Sequence, residues 1–150
     1  MEKTIEVLNT LITINNDRIE GYETASKETE EHDLKSFFAG LSSTSHHCNQ
    51  ELKAEVSKLG GVAAEGTLVS GKFFRVWMDV KAALTGKDRK TILNSCEYGE
   101  EVAGETYEDA LRNNAEYLSA EQQGMIKTQR TLLIADLNKV KSAVDSLSEA

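Results

Sequence analysis

The stretch GGVAAEGTLVSG, residues 60–71, divides the chain into two parts whose apolar residues recur at helical spacing. It holds four of the ten glycines, and the chain has no proline. The pair Gly60-Gly61 predicts the end of a helix, because glycine readily adopts the left-handed conformation that follows a helix C-terminus. On both sides, apolar residues recur every three or four positions, which predicts long helices. The stretch therefore marks the start of a connection between two helical pairs.

Two long helices are predicted before this connection. The first runs from about Thr4 to Lys27, and the polar stretch TEEHD interrupts its apolar spacing near residue 30. The second then continues to Leu59, where the glycine pair stops it. Because the turn between the two helices is short, we expect them to lie side by side in opposite directions.

Three further helices are predicted after the glycine-rich stretch. A short one covers FFRVWMDVKAALT, residues 73–85, and a long one runs from Asp88 to about Arg112. The last begins at Ser119, which forms a capping box with Gln122. The short helix would span about 20 Å, enough to return along a bundle. The expected fold is an all-α, ferritin-like four-helix bundle (up-down-down-up) with a long crossover containing a short extra helix, in one domain over residues 1–150.

Composition limits the classes of function. The chain of 150 residues has a net charge of −8 and a pI of about 4.9, so a nucleic-acid partner is not expected. No apolar run approaches the length of a membrane span, and the N-terminus lacks the pattern of a signal peptide. Cys48 and Cys96 are the only cysteines, too few for a disulfide framework. A soluble cytoplasmic protein is the simplest interpretation, with a homo-oligomer or a protein partner left open.

Five segments carry a resemblance to known proteins: LNTLITINNDRIEGYETA (8–25), LKSFFAGL (34–41), ELKAEVSKLGG (51–61), FFRVWMDVKAALTGKD (73–88) and ILNSCEYGEEVAGETYEDAL (92–111). They resemble a bacterial family of four-helix-bundle proteins of unknown function in the ferritin-like class. The resemblance implies the fold above and a weak association with stress, and it implies no reaction. The chain departs from the family's pattern in the last helix. Such proteins often carry histidine there, whereas this chain has no histidine after His47.

A ferritin-like di-iron centre is not expected in this chain. Such a centre takes one Glu from each of two helices and a Glu-x-x-His motif from each of the other two. No Glu-x-x-His motif occurs, because the residues three before His32, His46 and His47 are Thr29, Ser43 and Thr44. The expected cofactor set is therefore none, with iron, manganese or zinc as the alternative.

A polar layer is expected at mid-depth in the bundle instead. Pairing the helices about their short turns places residue 15 opposite about 46 and residue 100 opposite about 130. The residues that meet at this depth are polar or soft, although they lie on or beside the apolar stripes. We expect them to form a hydrogen-bonded layer that determines helix register, with one carboxylate accepting from amide donors. They are Asn15, Ser45, Cys48, Glu100 and Gln129.

The competing interpretation is a partial metal site that uses Glu97, Glu100, His47 and Glu51. In SHHCNQE, residues 45–51, His47 and Glu51 are one helical turn apart and could hold one side of a metal ion. His46 and Cys48 point in different directions, so the histidines and the cysteine do not converge as zinc ligands must. A surface histidine beside a core cysteine is the favoured interpretation of this stretch.

Aromatic side chains crowd the short crossover helix at Phe73, Phe74 and Trp77. They are expected to hold the crossover on the bundle, and the alternatives are a self-association patch or a small apolar pocket. Nucleophile, phosphate-loop and dinucleotide motifs are absent, so no catalytic residue is expected. The predicted function is a non-catalytic interaction or stress-associated bundle. The alternatives are a metal-binding bundle and a binder of small apolar ligands under the crossover.

Overall fold

The structure is a computed structural model that describes residues 1–66 and 89–149. These residues form four long α-helices and a short 3₁₀ helix, Ala115–Tyr117, and they contain no β-strand. For these residues, the prediction of an all-α fold with four long helices is confirmed. The predicted short helix with Phe73, Phe74 and Trp77 lies outside the described residues. The long helices are α1 (Glu2–Glu28), α2 (His32–Lys58), α3 (Arg89–Asn113) and α4 (Ala120–Glu149).

Local signals in the sequence determine where the helices end. Gly60 has a φ of 78° after α2, and the Gly61 amide donates to the Val56 carbonyl at 3.0 Å. This left-handed residue ends the helix while satisfying its last carbonyls. Before α4, the Gln122 amide donates to Ser119 Oγ at 3.1 Å, and the Ser119 amide donates to Gln122 Oε1 at 2.8 Å. The predicted capping box is therefore confirmed.

Each short turn joins two helices that run in opposite directions. In α1 and α2, Ser26 Oγ donates to the Lys35 carbonyl near the turn, and Ser45 Oγ donates to Asn15 Oδ1 further away. Residue numbers thus fall along one helix as they rise along the other. In α3 and α4, Tyr107 Oη donates to Gln129 Oε1, and Glu100 and Asp136 bind the same Arg18 side chain, so residue numbers again fall along one helix as they rise along the other. Two helical hairpins, α1–α2 and α3–α4, are the building blocks of the fold.

The hairpins meet through two apolar clusters that lie at different depths. One cluster contains Leu8, Leu11 and Ile126, and the other contains Tyr22, Phe38 and Val140. Residues between these positions on the same helix faces, among them Asn15 and Arg18 of α1, are polar and fully buried. The core is therefore apolar at both depths and polar between them.

The start of the connection after α2 lies along α1 and is held by asparagine side chains. Asn9 Nδ2 donates to the Val62 carbonyl at 3.1 Å, and Asn9 Oδ1 accepts from the Ala64 amide at 2.8 Å. Asn16 Nδ2 then donates to the Gly66 carbonyl at 3.0 Å. Because both asparagines bind backbone groups, they fix the path of this segment independently of its side chains.

None of the helices in the described ranges is long and apolar enough to cross a membrane.

Substitution of two glycines tests this packing. A Cβ at Gly61 would lie 2.9 Å from Ile5 Cδ1 and 3.1 Å from Ile5 Cγ2, whereas a Cβ at Gly40 would meet nothing within 4 Å. Gly40→Ala should raise the free energy of unfolding by about 0.5–1 kcal/mol, because alanine favours the helix. Gly61→Ala should lower it by about 1 kcal/mol, because the β-branched Ile5 is stiff. Urea denaturation measures both, and equal effects would contradict the contact with Ile5.

Candidate functional site

The candidate site is the polar layer between the two apolar clusters. All five residues predicted for this layer are buried, and none is more than 2% exposed. They come from all four helices: Asn15 from α1, Ser45 and Cys48 from α2, Glu100 from α3 and Gln129 from α4.

A continuous chain of hydrogen bonds connects four of these positions. Ser45 Oγ donates to Asn15 Oδ1 at 2.7 Å, and Asn15 Nδ2 donates to Tyr107 Oη at 2.8 Å. Tyr107 Oη donates in turn to Gln129 Oε1 at 2.8 Å, and Gln129 Nε2 donates to the Cys48 carbonyl at 3.3 Å. Cys48 thus takes part through its backbone. The chain passes once through each helix and returns to α2, so it ties the four helices together at one depth.

Glu100 belongs to a second part of the layer, which is built around Arg18. Arg18 Nε lies 3.0 Å from Glu100 Oε1, and Arg18 Nη2 lies 3.1 Å from Glu100 Oε2. The same Nη2 donates to Asp136 Oδ2 at 3.0 Å, and Nη1 donates to Ser45 Oγ at 2.5 Å. All three ionisable side chains are at most 3% exposed. One guanidinium therefore bridges two buried carboxylates and also reaches α2.

Tyr22 completes the surroundings of Glu100. Its hydroxyl donates to Glu100 Oε1 at 2.5 Å, and its ring lies 5.4 Å from the Arg18 guanidinium carbon. Burial raises the pKa of Glu100, whereas the Arg18 charge and the Tyr22 hydrogen bond act in the opposite direction. Burial alone would lower the pKa of Arg18, but Glu100, Tyr22 and Asp136 together more than offset this and raise it. Both Glu100 oxygens accept hydrogen bonds, which suits the ionised carboxylate.

Four further residues of the layer were not predicted from the sequence: Arg18, Tyr22, Tyr107 and Asp136. One carboxylate bound by amides was expected, whereas Glu100 is bound by a guanidinium that also binds a second carboxylate. Spacing places these residues on the helix faces that are buried, but it does not by itself separate a buried charge from a surface one. Arg18 lies three after Asn15 and four before Tyr22 on the buried face of α1, and Asp136 lies four before the buried Val140 of α4.

The four candidate metal ligands occupy different environments. Glu100 is bound by Arg18 in the core, and Glu97 is half-buried on α3. His47 and Glu51 form an exposed pair on α2, with Nε2 and Oε1 3.7 Å apart, and Glu51 Oε1 also accepts from Gln129 Nε2 at 3.1 Å. Within residues 1–66 and 89–149, no three His, Cys, Asp or Glu side chains are grouped as metal ligands.

A di-iron centre does not fit the donors that the described layer presents. Such a centre needs four carboxylates and two imidazoles directed inward. The layer offers the carboxylates of Glu100 and Asp136, and the Arg18 guanidinium lies between them. Its positive charge occupies the position where a cation would bind and would repel a metal ion there.

His46, the other histidine of SHHCNQE, pairs with Glu23 across the surface of the α1–α2 hairpin. Its Nε2 lies 2.6 Å from Glu23 Oε1, which also accepts from Ser42 Oγ at 3.4 Å. The hydrogen bond with His46 lowers the pKa of Glu23. Here the carboxylate lies between serine and histidine, whereas a catalytic triad places histidine between the other two. The group therefore does not activate Ser42 as a nucleophile.

Both cysteines are buried free thiols. Burial raises the pKa of Cys48 to about 11, and burial also raises the pKa of Cys96, with the nearby Glu100 charge acting in the same direction. Because the thiolate is the reactive form, neither residue has the environment of a catalytic or redox cysteine.

One protein-family model matches residues 3–113, and its description is "Domain of unknown function (DUF2383)". The match covers α1, α2 and α3 and therefore includes Asn15, Arg18, Ser45 and Glu100. Asp136 and Gln129 of α4 lie beyond it. No curated protein matches the chain significantly.

Removal of the Arg18 charge tests the energetics of the layer. Arg18→Met should lower the free energy of unfolding by about 3–5 kcal/mol, because it leaves two buried carboxylates without a cation. The matched control is Arg130→Met, which removes the half-exposed ion pair with Glu108 and should cost at most about 1 kcal/mol. Urea denaturation of both variants measures the difference. Equal losses would show that the buried cluster is not the main electrostatic constraint.

The raised thiol pKa values predict slow labelling of both cysteines. In the native protein at pH 8, a thiol-specific reagent should react at least about a hundredfold more slowly than with a free thiol, and labelling should become complete on unfolding. Because the folded state favours the neutral thiol of Cys48, its contribution to stability is present below a pH of about 8.5 and is lost as the pH rises toward 11. Rapid native labelling of Cys48→Ser protein would contradict the burial of Cys96.

Proposed function

Since this chain belongs to the DUF2383 family, a domain of unknown function, we propose that it is a non-catalytic helical-bundle protein with an interaction role. The observation that carries this proposal is the position of Arg18. Its Nη2 lies 2.9 Å from Glu100 Oε1 and 3.0 Å from Asp136 Oδ2 in a fully buried environment. The centre of the bundle is filled by a structural ion cluster, which leaves the outer surface for recognition.

The proposal includes a ferritin-like helix order, up-down-down-up, in one domain over residues 1–150. Cross-helix hydrogen bonds support this order. Asn15 bonds to Tyr107 and Arg18 bonds to Glu100, so residue numbers fall along α1 as they rise along α3. On α2 and α4, Gln129 bonds to the Cys48 carbonyl and Gln122 bonds to Glu55, which again gives opposite directions. With the two antiparallel hairpins, α2 and α3 then run in the same direction, which requires a long crossover.

The ion cluster supports a role without a resident metal. A divalent ion could bind Glu100 and Asp136 only after displacing Arg18, which makes three hydrogen bonds to those carboxylates and one to Ser45. The displaced guanidinium would need another buried partner or a path to water, and an unpaired buried charge is strongly unfavourable. The tethered cation thus has a large advantage over a metal ion from solution.

The surface properties favour a protein partner in the cytoplasm. The net charge of −8 disfavours nucleic acid and anionic lipid surfaces. Exposed apolar side chains are few in the described residues and include Tyr98, Tyr117 and Ile134. The resemblance stated above adds a stress-associated role to this proposal.

Metal analysis tests the proposal directly. Protein purified without chelator should contain iron, manganese and zinc far below one ion per chain by elemental mass spectrometry, and Glu100→Ala should leave those values unchanged. His47→Ala separates adventitious metal at the His47–Glu51 surface pair from metal in the core. Stoichiometric metal that Glu100→Ala abolishes and His47→Ala retains would overturn the proposal in favour of a metal-binding bundle.

A further inference from the structure

The buried charges are divided unequally between the two hairpins. The α1–α2 hairpin contributes the Arg18 guanidinium and the Tyr22 phenol to the hydrogen-bonded cluster, and it also buries Asp17, which precedes Arg18 on α1 and is 5% exposed. The α3–α4 hairpin contributes both carboxylates, Glu100 and Asp136. Lys139 of α4 lies 3.8 Å from Asp136 Oδ1, but its side chain is 67% exposed, so solvent screens its charge. One hairpin therefore brings the Arg18 cation, and the other brings both carboxylates that form ion pairs with it in this cluster.

The hydrogen-bond donors and acceptors of the layer are also complementary between hairpins. Asn15 of the first hairpin donates to Tyr107 of the second, and Gln129 of the second donates to the Cys48 carbonyl of the first. If two α1–α2 hairpins paired with each other, two guanidiniums would be buried without the carboxylates of Glu100 and Asp136 that bind them in the native bundle. If two α3–α4 hairpins paired, four carboxylates would be buried without a cation. Both like pairings are unfavourable because each leaves buried charge uncompensated.

Each hairpin has internal contacts that do not depend on the other one. In α1–α2, Asn49 Nδ2 donates to Asn16 Oδ1 at 2.9 Å, and Lys35 Nζ donates to the Ser26 carbonyl at 3.2 Å. In α3–α4, Arg130 Nη2 lies 2.6 Å from Glu108 Oε1. The contacts between hairpins can therefore be made by any copy of the complementary hairpin.

The chain between the hairpins is long enough to allow such an exchange. Twenty-two residues, 67–88, separate the described segments. Fully extended, they can span about 70 Å, whereas a helix of 27 residues is about 40 Å long. The covalent connection thus does not by itself restrict a hairpin to the partner in its own chain.

We propose that α1–α2 and α3–α4 are complementary halves whose buried charges permit only unlike halves to pair, and that a second copy of this chain can supply either half. The kind of partner that fits each half is the opposite hairpin. This inference goes beyond the proposed function, because its test does not depend on metal content.

Two full-length variants with different affinity tags test the proposal by co-expression. The first carries Arg18→Asp, which places three acids at the centre. The second carries Glu100→Arg with Asp136→Asn, which places two cations there without an acid. Neither variant can pair opposite charges at these three positions within its own chain. If they exchange hairpins, one bundle of the dimer is native at these positions, and the other pairs the introduced aspartate with the introduced arginine.

The expected result is a one-to-one dimer in which each tag recovers the other chain. Its thermal transition should be close to that of the unchanged protein, whereas each variant alone should lack this transition. The matched control is co-expression of two differently tagged Arg18→Asp chains, which can form only acidic centres. At least about tenfold less of the second chain should co-purify in this control.

A single chain with all three substitutions provides the second measurement. It restores opposite charges within one molecule, so it should fold as a monomer with a cooperative transition. Failure of this chain to fold would overturn the charge rule. Absence of co-purification between the two variants would overturn the exchange between copies. If two Arg18→Asp chains co-purified as well as the two different variants do, the buried charges would not select the partner.

Discussion

The contact of Arg18 with Glu100 and Asp136 is the constraint on which the arrangement of the helices depends. Three ionisable groups from α1, α3 and α4 are removed from water, so their charges must be satisfied by one another. Hydrogen bonds of this kind tolerate only small changes of distance, and a shift of one helix by a single turn, about 5.4 Å, would break them. Ser45 extends the same constraint to α2. The apolar clusters on either side could pack in several registers, whereas the polar layer satisfies its groups in one.

A buried ion cluster of this type is weak evidence for stability in itself, because desolvation opposes the attraction between the charges. The cluster instead discriminates between the correct pairing of the two hairpins and pairings of like hairpins. Arg18 on one hairpin and two carboxylates on the other bring opposite charges into contact in the correct pairing and make like pairings costly. The same arrangement places a permanent cation where a metal ion would otherwise bind in a helical bundle. Helix register, choice of hairpin partner and the chemistry of the centre are thus consequences of one group of side chains.

The described helices and the polar character of the layer could largely be predicted from spacing and composition. Asn15, Ser45, Glu100 and Gln129 interrupt apolar stripes at positions that the short turns bring to a similar depth, and all four are buried. Arg18 and Asp136 have the same spacing, but charged side chains on amphipathic helices usually face water, so periodicity alone does not distinguish a buried charge from a surface one. For His47 and Glu51, spacing indicates a shared helix face but does not indicate whether that face is buried. Residues one turn apart share a helix face, but in this structure that face is exposed.

The sequence by itself determined the elements: four long helices, the glycine pair that ends the second, the capping box that begins the last, and the absence of Glu-x-x-His. These features depend on residues within one or two turns of each other, so they can be read along the chain. Only the tertiary structure decided that Glu100 binds a guanidinium, that Asp136 shares it, and that the cation and the acids lie on different hairpins. Those contacts join residues 82 and 118 positions apart, and they form only when packing removes the side chains from water at the same depth.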